Sequence, residues 1–209
     1  MARVYHGATV GGVDPFLAKA VSLMQLLAGH NQLQGGIPDA LATHPNLTTL
    51  DLSDNALDTL PSAWSSVDDL VSSQLSILKL AGNKYENQGF QKGYAHRLCR
   101  FSGAIPVGLA ALPLLTRLNL ASNNFQGDLP RIDGAPFAAM LFFNVSNNDL
   151  GGTIPSEYGQ MRMFKQSGIG YVDSNNVVRP ITFTFDVSNN QLTGDIPAFL
   201  NRTVRAFLQ

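Results

Sequence analysis

Apolar residues recur along this chain in one fixed pattern. In LNLASNNFQGDLP, ending at Pro130, two leucines alternate with polar residues and an asparagine follows three positions later. An aromatic stands two after that asparagine, a glycine four after, and a Leu-Pro pair closes the motif. Similar segments end at Pro38, Pro61, Pro106, Pro155 and Pro197, with the common form L-x-L-x-x-N-x-L-x-G-x-I-P. The alternation predicts a short strand with its leucines on one face. The Ile/Leu-Pro pair predicts a short helical turn, because proline fixes φ and is tolerated at a helix start.

Asn31, Asn55, Asn83, Asn123, Asn148 and Asn190 set the register, with spacings of 24, 28, 40, 25 and 42. Apolar residues stand five and three before the asparagine at Leu50/Leu52, Leu78/Leu80, Leu118/Leu120, Phe143/Val145 and Phe185/Val187. The spacings of 40 and 42 exceed one 24-residue unit by 16 and 18, which predicts two insertions. Removing residues 84–99 joins Asn83 to Arg100 and yields LKLAGNRFSGAIP, a complete copy of the motif. The second insertion falls within residues 159–180. One such unit cannot bury its own apolar face, but stacked units share a continuous core.

Six copies in register resemble the plant-type leucine-rich repeat, whose consensus ends in L-x-G-x-I-P. The resemblance covers residues 20–200, with an incomplete repeat in residues 1–19 and a truncated end in residues 201–209. It implies an α/β repeat solenoid, a horseshoe arc. Short parallel strands line its concave face, with 3-10 turns, short helices and loops on the convex face. It also implies that Asn31, Asn55, Asn83, Asn123, Asn148 and Asn190 form a structural ladder that satisfies buried backbone groups. Leu41, Trp64, Leu109, Tyr158 and Leu200, three residues after their prolines, should face inward.

The strand positions beside the leucines point the other way. The candidate concave binding face is Thr49, Asp51, Ile77, Lys79, Arg117, Asn119, Phe142, Asn144, Thr184 and Asp186. Members of the resembled family bind partners there. The implied function is recognition of a protein or peptide ligand by a receptor-like protein or receptor-kinase ectodomain, with co-receptor contact or self-association. That would make the chain a cell-surface signalling part whose membrane segment lies outside these residues. Residues 1–15 contain no apolar leader segment, and the family's cysteine-paired cap is missing from the ends. The expectation is therefore a piece of a longer solenoid. The second reading is an intracellular scaffold or adaptor, for example cytoskeletal or ciliary, consistent with the single cysteine.

Composition narrows the partners. Among 209 residues, Lys+Arg 14 against Asp+Glu 15 gives a net charge of -1, which removes an electrostatic case for nucleic acid or anionic lipid. Cys99 alone excludes an intrachain disulfide and a multi-cysteine metal site. No apolar run reaches the roughly 18 residues of a spanning helix. No phosphate loop, H-E-x-x-H or G-x-S-x-G element occurs, and His6, His30, His44 and His96 are scattered. The expectation is a binding module without catalytic residues, metal or cofactor. Three N-x-S/T sequons stand at Asn46, Asn144 and Asn201. A glycan at Asn144 would lie on the concave face, which argues against use of that sequon.

Overall fold

The computed structural model describes residues 11–70, 73–83, 101–165, 170–172, 178–180, 183–201 and 205–207. Seven parallel strands form one sheet in chain order: Gln25–Leu27, Thr49–Asp51, Ile77–Lys79, Arg117–Asn119, Phe142–Asn144, Thr184–Asp186 and Arg205–Phe207. The first six begin at the spacings of the asparagines, so each repeat contributes one strand. The seventh, paired through Thr184↔Arg205, lies in the stretch that the sequence presents as an unfinished end.

Each coil buries its alternating apolar pair. Leu50, Leu52, Leu78, Leu80, Leu118, Leu120, Phe143 and Val145 are inaccessible to solvent. The chain then turns onto the opposite side, where a second set of short parallel strands runs. Gln34–Gly36 pairs with Ala56–Thr59, and Asn124–Asp128 lies between Ser102–Gly103 and Asp149–Gly151. Gly35, Gly103, Gly127, Gly152 and Gly194 all take positive φ here, which explains the glycine four after the asparagine. After the prolines, short helices or 3-10 turns form at Asp39–Ala42, Ser62–Ser65, Gly108–Ala111, Ser156–Gln160 and Ala198–Asn201. They bury Leu41, Trp64, Leu109, Tyr158 and Leu200. Asp39 ties two coils together: its carboxylate accepts from the Ser62 hydroxyl at 2.9 Å and from the Ala63 amide at 3.4 Å. The Ser62 hydrogen bond holds the Asp39 carboxyl below its ordinary range.

The asparagines join the coils. The Asn55 Nδ2 donates to Leu52 O and Ser53 O of its own coil and to Ala28 O of the coil before. Its Oδ1 accepts from the Leu33 amide of that earlier coil at 3.0 Å. Asn83, Asn148 and Asn190 accept in the same way from Leu57, Phe125 and Leu150. Among the described residues Asn31, in the first such coil, donates only to Ala28 O and Gly29 O. Asn123 donates to Leu80, Leu120 and Ala121 carbonyls, but its buried Oδ1 has no partner among the described residues. The amide due there belongs to the interrupted coil after Asn83. The insertion expected at residues 84–99 lies outside the described residues. Its two flanks are nonetheless native repeat: Asn83 and Phe101 are both fully buried, and Phe101 stacks on Phe125 of the next coil at 6.3 Å.

The extra length in residues 159–180 falls late in that interval. Met161 and Met163 are buried repeat positions. An antiparallel pair, Gly170–Val172 with Val178–Pro180, follows them. The adjacent core is aromatic. Phe137, Phe143 and Tyr158 meet edge to face, and Phe143 stacks on Phe185 at 5.3 Å. Phe137 is fully buried with φ 51, a conformation that a bulky side chain adopts only when its surroundings hold it. The Tyr158 hydroxyl donates to Pro130 O at 3.0 Å, and burial raises its pKa well above the ordinary phenol value.

Two outcomes follow for stability. Asn55→Ala leaves the Leu33 amide without its acceptor and takes one of two donors from each of the Ala28, Leu52 and Ser53 carbonyls. It should lower the unfolding free energy by about 1–3 kcal/mol, and Asn31→Ala by clearly less, as read by urea titration. Tyr158 stays protonated in the fold after it would ionise in the unfolded chain. Its contribution is fully present below pH ~10 and is lost as pH rises toward the folded value. Thermal melts should therefore fall more steeply above pH ~10 for the native chain than for Tyr158→Phe.

Candidate functional site

The strand register arranges the concave face in rows. One row is Gln25, Thr49, Ile77, Arg117, Phe142 and Thr184. The next is Leu27, Asp51, Lys79, Asn119, Asn144 and Asp186. All ten candidate positions thus fall on one sheet face, because strand side chains alternate and the coils stack without slipping.

Their availability differs. Thr49 is a correction to the expected surface: it is buried between its neighbours Gln25 and Ile77 at the head of its strand and offers little to a partner. Arg117 is exposed, while Asp51, Ile77, Lys79, Asn119, Phe142, Asn144, Thr184 and Asp186 are half-buried. Four of these polar side chains fold back on their own backbone. Asp51, Asn119, Asn144 and Asp186 each accept from the amide two residues on, at Ser53, Ala121, Ser146 and Ser188. This closes the strand end as an Asx turn. One acceptor at each position is therefore occupied by the fold, and only the outer edge of the group faces solvent.

Two pairs stand out at the middle of the sheet. Lys79 Nζ lies 3.0 Å from Asp51 Oδ2, so that cation is locally neutralised. The Arg117 guanidinium lies over the Phe142 ring at 4.8 Å and has no carboxylate partner among the described residues. An arginine over an aromatic ring can still donate its outer N–H groups to carboxylates or carbonyls. These two pairs offer a planar donor, an aromatic face and a polarised ion pair within neighbouring strands. Among the described residues no three His, Cys, Asp or Glu side chains form a metal-binding group.

Sequence reasoning passed over Gln25 and Leu27, which the register rule gives when it is applied to Asn31. It also missed a stripe of exposed and half-buried residues beside the asparagine ladder. The residue before each asparagine, His30, Asp54, Gly82, Ser122, Asn147 or Asn189, takes positive φ. Asn189 Nδ2 donates to Asn147 Oδ1 at 3.0 Å, and His30 Nδ1 lies 3.2 Å from Asp54. The signal was compositional: small or Asx-like residues at a position that needs the left-handed region.

Parallel strand stacking, the asparagine ladder and the second ladder of short strands define a repeat solenoid. A family model described as Leucine Rich Repeat matches residues 46–67. The chain is a leucine-rich repeat protein of the plant type. It is 32% identical over 120 residues to Receptor-like protein 7 of Arabidopsis thaliana, covering 55% of this chain and 12% of that protein. It is 32% identical over 154 residues to Receptor-like kinase TMK2 of Arabidopsis thaliana, covering 72% of this chain and 15% of that protein. Among solved structures it resembles the plant peptide hormone receptor RGFR1 in complex with RGF2, with TM-score 0.66 and 25% identity. That match covers 95% of this chain and 26% of the receptor chain. The chain thus spans a minor part of the length of the relatives it matches.

If the half-exposed ion pair serves recognition rather than the fold, Lys79→Ala should change the unfolding free energy by less than about 1 kcal/mol in chemical denaturation.

Proposed function

We propose that this chain is a ligand-recognition segment of a receptor-like protein at the cell surface, binding an extended peptide or protein segment along its concave sheet. The observation that carries this reading is the Arg117–Phe142 pair at the centre of the sheet. The solved relative is a receptor in complex with RGF2, and the curated relatives are receptor-like proteins and a receptor-like kinase. These likenesses support an extracellular, non-catalytic module whose membrane anchor lies elsewhere in the parent protein. The Asx turns fix the strand ends, so the concave surface is organised before a ligand arrives, which limits the ordering cost of binding.

The test is selection of displayed peptides on the folded chain, followed by affinity measurement on variants. Arg117→Ala and Phe142→Ala should each weaken the selected peptides tenfold or more, equivalent to about 1.4 kcal/mol. Asp58→Ala, at an exposed position on the second ladder of strands, should leave affinity unchanged. Selected peptides that bind the two concave variants as tightly as the native chain would overturn the reading.

A further inference from the structure

We infer that Asn46 is an N-glycan acceptor of this protein and that Asn144 is not. The inference rests on the cell-surface reading above, because glycan transfer needs the secretory route.

The sequon Asn46-Leu47-Thr48 lies in the turn between the helix Asp39–Ala42 and the strand Thr49–Asp51. Asn46 is exposed while Leu47 beside it is fully buried, so the core anchors the turn and the carboxamide stands outside. The repeat explains why this place is open. Among the described residues nine before the ladder asparagines, Ser22, Asn46, Gln74 and Leu114 are exposed and Ala139 is half-buried. This register position lies on the flank of the solenoid, before the chain enters the concave strand. A bulky group rooted there meets neither the sheet nor the neighbouring coil's core.

The local hydrogen bonds are compatible with modification. Asn46 Nδ2 donates to Val21 O at 2.8 Å. In transfer, that nitrogen bonds to the anomeric carbon of a polyisoprenoid-diphosphate-linked oligosaccharide. The bond from that carbon to the diphosphate oxygen breaks, and the electron pair departs with the diphosphate. One amide proton is lost to base or solvent and the other remains on nitrogen. The modified side chain therefore retains an N–H for the Val21 carbonyl. Thr48 Oγ1 donates to Met24 O at 2.9 Å, so the sequon hydroxyl belongs to the same inter-coil seam.

The sequon Asn144-Val145-Ser146 differs in each respect. Asn144 is in mid-sheet, in register with Asn119 on one side and Asp186 on the other. Its Oδ1 is fixed by the Ser146 amide at 2.9 Å, and Ser146 is itself buried. A glycan rooted there would stand over Arg117 and Phe142, on the surface that the proposed ligand needs. The side chains of the third sequon, at Asn201, lie outside the described residues.

The chain should be expressed behind a secretion signal in a eukaryotic host, so that the compartment is imposed and only the geometry is under test. Glycosidase release in heavy-oxygen water converts each occupied asparagine to labelled aspartate, read by peptide mass spectrometry. The expected result is label at Asn46 and none at Asn144. Asn46→Gln and Thr48→Ala should remove the Asn46-dependent gel shift, and Thr48→Ser should keep it. An unlabelled Asn46 in the secreted, folded chain overturns the inference. A labelled Asn144 overturns its second half and counts against the concave binding face. Failure of the cell-surface reading would show separately, as an unglycosylated native protein from its own cells beside a labelled Asn46 in the directed chain.

Discussion

The structure depends on what happens to the backbone where each coil leaves its strand. The chain turns there inside the solenoid, and a curved, buried backbone cannot satisfy its own polar groups through a regular ladder. One carboxamide solves this at four levels, those of Asn55, Asn83, Asn148 and Asn190. Its two N–H groups reach carbonyls of its own coil and of the coil before, and its oxygen accepts an amide of the earlier coil. Aspartate would lack the donors, and glutamine would be one methylene too long. The bond spans coils, so it also sets their register. That register lines up the leucines within and the concave-face residues without. The asparagine ladder inside the fold thus determines the layout of its concave face.

Much of this was legible in the chain because the repeat states each rule six times. Alternating leucines, the asparagine and the Ile/Leu-Pro pair mark strand, turn and helix start. The seventh strand, Arg205–Phe207, falls in residues 201–209, which read as the truncated start of another repeat because they hold no full copy of the motif. Phe137 was hidden for a different reason. Its coil runs one residue longer, from Pro130 to Met140, through a turn containing Gly134 at φ 96, so the usual offset from proline points to Asp133 instead. The aromatic that fills the gap does so with a strained backbone held by Phe143 and Tyr158. The Asx turns were hidden because polar strand residues look alike whether they face a ligand or cap their own strand.

The candidate site is consequently smaller than the sheet. Most polar groups of the concave face are partly committed to the strand ends, and Thr49 is withdrawn into the sheet. Distinctive chemistry remains where neighbouring strands carry unlike residues: lysine beside aspartate, and arginine beside phenylalanine. Repetition builds the scaffold, and departures from repetition give its concave face distinct chemistry.

The buried pair Asn83 and Phe101 has an implication for how such a chain can change over generations. Both ends of the interruption are clamped by core contacts that belong to the repeat itself: Asn83 through Leu52 and Leu80, Phe101 through Phe125. Lengthening the segment between two fixed points costs little, since closure entropy grows only with the logarithm of its length. Material can therefore enter or leave the gene at this joint without shifting any strand downstream. The joint is a tolerant seam, where new sequence can be tried while the stack stays in register.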